Sequence, residues 1–161
     1  MTNFTGANVC DVVEIETYQP DVFSFGIASN DSKVSHYITQ TTNDIFRDLR
    51  IKWWPMYKSN IYTDITVLNT AEMVNTKVDL DQFKRAGVYL FLSRYFLPSL
   101  TKFRPEADKD RFERMIEFYS SAYIKEFQTI LEDGVSYDSD AGGSISASER
   151  EPLHGFRRLT R

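Results

Sequence analysis

The chain is short of the residues that most catalytic and redox chemistry uses. It holds one cysteine, Cys10, and two histidines, His36 and His154, in 161 residues. A lone cysteine excludes an intrachain disulfide and offers no set of thiolates to zinc. Nor does it form a nucleophile–base pair with either histidine at any recognisable spacing. His36 falls on a helix candidate, where it reads as a surface or satisfied core side chain, and His154 falls in a polar tail. No glycine-rich loop of the phosphate-cradling kind is present. Excess positive charge is also lacking. The formal net charge is −4, which argues against a general electrostatic grip on nucleic acid and against sequence-specific binding to it. The first residues lack a basic stretch followed by an apolar run, so they do not read as a secretory leader. The longest uncharged apolar run inside a helix candidate, 86–93, falls far short of the ~20 residues a bilayer span needs. Together these absences predict a protein that is not an enzyme, does not span a membrane, and is made and kept in a reducing cytoplasm.

What is present is apolar and aromatic. Hydrophobic residues make up 42% of the chain, with 12 Phe and 9 Tyr, enough for a substantial core. The strongest periodic stretch is 108–133. Phe112, Met115, Ile116, Tyr119, Tyr123, Phe127, Ile130 and Leu131 recur in steps of three and four, the spacing of one helix face. Asp108 and Asp110 suit its N-terminus and Gly134 its end. A second helix is predicted over 33–53, with Val34, Ile38, Thr41, Ile45, Leu49 and Trp53 in register and Pro55 as its stop. A third is predicted over 79–97, capped by Asp79 or Asp81 and broken by Pro98. Its middle, Ala86 to Leu92, is apolar on nearly all sides, so it is expected to be buried on more than one face. Gly87 would allow a neighbour to approach closely. The connection to 108–133 is short, which predicts antiparallel neighbours.

The remaining stretches are less regular. Val13, Ile15 and Thr17 alternate with acids, a weak strand signal, inside a segment 1–31 that reads as an extended arm. Residues 58–77 read either as a strand (Ile61, Thr63, Ile65, Val67) or as one helical turn capped by Thr70. The run Trp53-Trp54-Pro55-Met56-Tyr57 is either a core anchor or an exposed aromatic patch. The expected architecture is therefore mainly α: a small helical bundle over 32–133, with an extended N-terminal segment over 1–31 and a polar loop and C-terminal arm over 134–161. Phe91 and Phe127 are expected in its core.

Two features of the last segment carry chemistry. The twelve residues 138–149, DSDAGGSISASE, resemble the calcium loop of EF-hand proteins. Calcium takes six to eight oxygens on a tightly turned backbone. By that resemblance Asp138, Asp140, Ser144 (through its carbonyl), Ser146 and Glu149 are the metal ligands, and Gly143 is the turn glycine. Gly142 stands where a side-chain ligand belongs, Gly134 ends the preceding helix early, and Pro152 limits a following one. A polar loop that bends the chain into its tail is the alternative. Calcium is the one cofactor the sequence suggests. The second feature is the ending FRRLTR, whose arginines sit beside Phe156 and Leu159 in a composition common at protein interfaces.

The stretches IFRDLRIKWWP (45–55), DLDQFKRAGVYLFLSRYFLP (79–98) and DRFERMIEFYSSAYIKEFQTILEDGVSYDSD (110–140), followed by an arm ending FRRLTR, resemble the head-to-tail adaptor (connector) proteins of tailed bacteriophages. The resemblance implies a small helical bundle acting as a structural virion protein in the neck. It also implies a homo-oligomeric ring, twelve-fold in that family, linking the portal protein to tail or neck proteins. Docking to the portal would then fall to Phe156, Arg157, Arg158, Leu159 and Arg161.

Overall fold

The computed structural model describes residues 8–101, 111–146 and 149–151. The predicted docking residues Phe156, Arg157, Arg158, Leu159 and Arg161, together with His154, lie outside them. The protein is mainly helical, as expected, with a single two-residue strand pair among the described residues. No helix of the described residues is long and apolar enough to cross a membrane. Two compact units divide it, with boundaries within its two longest helices and in the 3-10 turn Leu80–Phe83.

The first unit comprises Asn8–Ile45 and Phe83–Phe127. It begins with α1 (Val12–Tyr18), where a strand had been expected from alternation. The Asp11 side chain accepts from the Glu14 amide, and the Glu14 side chain accepts from the Asp11 amide. This reciprocal cap satisfies two otherwise orphaned donors and outweighs the weak alternation. A 3-10 turn at Val22–Phe25 follows, so residues 8–31 carry short helices rather than an extended arm. Phe23 and Phe25 pack edge-on against Phe96 and Phe112.

Helix α2 (Ser32–Lys52) begins where Asp31 accepts from the Lys33 amide. Its predicted face, Val34, Ile38, Thr41, Ile45 and Leu49, is buried. The helix predicted over 79–97 is a composite. A 3-10 turn (Leu80–Phe83) leads into α5 (Lys84–Leu90), then a π-helical segment (Phe91–Phe96), then α6 (Leu97–Leu100). Pro98 does not break it but sits in the first turn of α6. A proline ring collides with the carbonyl four residues back in a regular α-helix, here that of Arg94. The wider turn just before it relieves that crowding.

Helix α7 (Arg111–Asp133) buries Tyr119, Tyr123, Phe127, Ile130 and Leu131. It runs antiparallel to α5, as the short connection predicted: Phe83 meets Phe127, Arg85 pairs with Glu126, and Tyr89 meets Tyr119. Phe91 and Phe127 are both buried. Gly87 permits the close approach foreseen, with the Val9 side chain as its neighbour. Buried Asp44 accepts from Arg94 (3.0 Å) and from the Tyr95 hydroxyl (2.6 Å).

The second unit comprises Phe46–Gln82 and the described residues from Gln128 onward. Pro55 does not close a helix here. It opens the next one, α3 (Trp54–Ile61), from its first turn, where a missing N–H costs nothing. The 58–77 stretch carries short helices joined by extended residues rather than a strand: α4 (Ile65–Thr70) is capped by Asp64, not Thr70. Trp53, Trp54, Tyr57 and Tyr137 form one buried aromatic cluster, which settles the Trp53–Trp54 run as a core anchor. Gly134, at φ +100°, ends α7 in a backbone region that favours glycine, and the chain turns into β1 (Val135–Ser136).

Candidate metal centre

The 138–149 loop is held at both ends by backbone pairing. Strand β1 pairs antiparallel with β2 (Arg150–Glu151), Val135 opposite Glu151 and Ser136 opposite Arg150. On its other side the incoming strand meets the 74–79 segment. The Asp79 amide donates to the Ser136 carbonyl, the Asp138 amide to the Lys77 carbonyl, and the Val74 amide to the Tyr137 hydroxyl. Lys77 adds a bond from Nζ to the Ser139 carbonyl at 2.8 Å. The loop thus springs from a short ladder, where an EF-hand loop is flanked by helices.

Within the loop, carboxylate oxygens of Asp138, Asp140 and Glu149 lie within 4.8 Å of one another. Three negative charges so close repel unless a cation or donors compensate them. Backbone donors do much of this. Gly142 N donates to Asp138 Oδ1 (2.9 Å) and Asp140 Oδ1 (2.8 Å), and Gly143 N donates to Asp138 Oδ2 (2.9 Å). Ala141 and Gly143 adopt positive φ (61° and 75°), which turns these amides inward. A Cβ at Gly142 would stand 2.9 Å from Asp140 Oδ1, so a larger residue there would shift the Asp140 carboxylate.

Glu149 is held most completely. Its Oε1 accepts from the Ser139 amide (2.7 Å), the Ser139 hydroxyl (2.9 Å) and the Asp140 amide (3.4 Å). Its Oε2 accepts from the Ser146 amide (2.9 Å) and hydroxyl (2.8 Å). These bonds, those from Ser146 foremost, hold its carboxyl down at about 2. The side chain is only 5% exposed, but its own loop provides the cover.

The arrangement can be tested against calcium. Asp138 accepts one donor per oxygen and Asp140 one donor on Oδ1, so both keep lone pairs for a cation. Both oxygens of Glu149 carry two or more donors and are saturated as they stand. Glu149 therefore joins a metal only by giving up Ser139 or Ser146. The donor set, three carboxylates with turned backbone, is of the hard oxygen type that calcium prefers. Of the five residues expected as ligands, the structure brings Asp138, Asp140 and Glu149 together. Ser146 joins through Glu149, and Ser144 is exposed.

One neighbour escaped the sequence reading. Tyr57 is 3% exposed and its hydroxyl lies beside Ser139, yet it makes no hydrogen bond of acceptable geometry. Burial pushes its phenol up to about 12; the Ser139 hydroxyl pulls against that push, and Tyr137, Tyr62 and Glu149 add to it in that order. A buried hydroxyl without a partner is costly and calls for an explanation. Comparison with protein-family models, curated proteins and solved structures finds no match for this chain.

Other candidates among the described residues carry less chemistry. Cys10 is buried, and its thiol is pushed up to about 12 by burial, then by the Glu14 and Asp11 charges, which makes it a poor nucleophile. His36 lies in α2 and is exposed.

Proposed function

We propose that this protein is a structural subunit of the head-to-tail adaptor ring of a tailed bacteriophage, linking the portal to tail or neck proteins. The observation that carries the reading is a small, mainly helical body with apolar side chains left open on its surface. The β1–β2 ladder and the Glu149 clamp hold the last described residues, Arg150 and Glu151. The sequence that follows, with arginines beside Phe156 and Leu159, has a composition suited to docking onto a neighbour. Apolar side chains left open on α3 and α4 (Met56, Ile61, Ile65 and Val67) add surface for further subunits. The test is deletion of residues 152–161. Helical circular dichroism should be unchanged, and co-sedimentation with the portal oligomer of the same phage should be lost. Retained binding would overturn the assignment of docking to Phe156, Arg157, Arg158, Leu159 and Arg161.

A second reading, a calcium-stabilised interaction module, is favoured by the convergence of Asp138, Asp140 and Glu149 beside the unpartnered Tyr57 hydroxyl. Here calcium would stiffen the same loop. Isothermal titration with calcium chloride should give saturable heat and a raised melting temperature. Neither response at millimolar calcium would remove this reading.

A further inference from the structure

Helix α7 buries Tyr119, Tyr123 and Phe127, while Glu117, Phe118, Ser121, Ile124 and Lys125 are exposed. These five make one patch. On a helix surface the neighbours of Ser121 are the residues three and four positions away, which are Phe118, Ile124, Glu117 and Lys125. Two of them are large and apolar, yet Phe118 is 65% exposed and Ile124 61%. The Phe118 ring leans edge-on against Tyr119, with centroids 5.2 Å apart, and so is held outward beside Ser121. Paired apolar side chains rimmed by charge are the make-up of a surface that another surface covers.

We propose that this face of α7 packs antiparallel on the same face of a second copy, so that the free chain forms a two-fold dimer. The order of side chains is self-complementary about Ser121. A two-fold axis at Ser121 sets each residue opposite the one equally far along the helix on the other side. Phe118 then meets Ile124 of the second copy, and Glu117 meets Lys125, each pair occurring twice. Ser121, small and on the axis, lets the two helices approach closely. A parallel pairing would set Glu117 against Glu117 and Lys125 against Lys125, so charge selects the antiparallel arrangement. The inference is independent of the adaptor reading: neighbours in a ring meet head to tail, whereas this contact closes at two copies.

The apolar pairs supply the affinity and the charges the register, since exposed ion pairs add little by themselves. A contact limited to one helix face buries less than about 1,200 Å², the weak end of specific interfaces, so the dimer should dissociate at concentrations on the order of tens of micromolar. Reversing one charge places two like-charged pairs across the axis and should weaken the dimer at least about tenfold. Glu117 and Lys125 lie more than two turns apart on α7, too far to pair with each other in one chain. Reversing both therefore restores the contact between copies without restoring any bond between these two residues within a copy.

The experiment is sedimentation velocity of the full chain, without any partner, at concentrations up to about 1 mM. It compares wild type, Glu117→Lys, Lys125→Glu, the double reversal and an equimolar mixture of the two single variants, with circular dichroism as the check on folding. Expected are a monomer–dimer equilibrium in wild type, at least about tenfold weaker dimers in each single variant, and recovery in the double reversal. The mixture should form the heterodimer in preference to either homodimer, because one copy then carries two lysines opposite two glutamates of the other. A chain that stays monomeric overturns the proposal, as does a dimer whose strength ignores both reversals. A ring larger than a dimer overturns it too and leaves the adaptor reading standing. Dimers that follow the charge pattern in a protein that never associates with the portal uphold this inference and remove the adaptor reading instead.

Discussion

Gly87→Ala should destabilise the protein although alanine is the better helix former. Gly87 lies inside α5 and its φ is not positive, so no backbone conformation requires glycine. On propensity alone the substitution would stabilise by about 0.5–1 kcal/mol. The structure supplies an opposing cost. A Cβ at position 87 would stand 2.7 Å from Val9 Cγ1 and 3.1 Å from Val9 Cγ2. Val9 cannot swing clear: it is fully buried, β-branched, and its amide donates to the Thr42 hydroxyl at 3.0 Å. Overpacking of this kind costs about 1–3 kcal/mol, leaving a net loss of about 1–2 kcal/mol. For a chain of this size that lowers the melting temperature by about 2–8 °C. Val9→Ala alone should also destabilise, by about 2 kcal/mol, through the two lost methyls and the space they leave. Together the two changes should cost less than their sum by at least about 1 kcal/mol, because each makes room for the other. Thermal and denaturant unfolding of the four proteins measures this. A more stable Gly87→Ala, or strictly additive losses, would refute the close packing of Val9 on α5.

Three further outcomes follow from the same geometry. Phe91→Ala and Phe127→Ala should each cost about 3–5 kcal/mol in unfolding experiments, since both rings are buried. Glu149 titrates well below its ordinary value of 4.5. Its clamp therefore contributes stability that is complete above pH 4.5 and lost as pH falls towards 2, and Glu149→Gln should flatten that part of the acid unfolding profile. Cys10 should resist a thiol reagent at neutral pH in the native protein and react fully once denaturant unfolds it.

The two long helices were legible because burial of one face imposes a period that side-chain type reveals. The predicted stripe of α2 is buried, and so is the stripe of α7 from Tyr119 onward. What was misread lay where a single local contact decides. The Asp11–Glu14 spacing held the signal for α1, but alternation over Val13, Ile15 and Thr17 obscured it. Pro55 and Pro98 read as stops in the sequence, yet a proline in a helix's first turn starts one as readily as it ends the previous one. The π-helical turn before Pro98 has no signature in side-chain type. At the candidate metal centre, Asp138, Asp140 and Glu149 were readable because the loop is contiguous and its spacing encodes the turn. Tyr57 was not: it is 82 residues from Ser139 in the chain, and only the packing of the aromatic cluster brings its hydroxyl there.

The most direct test of the adaptor account is the mass of the purified protein by light scattering across a concentration range. It should be done with calcium and with a chelator, alone and mixed with the portal oligomer of the same phage. The account predicts a complex of one defined mass with the portal, formed by the full chain and lost when residues 152–161 are removed. No association with the portal under any of these conditions would contradict it. A change of mass driven by calcium alone would instead favour the calcium-stabilised module.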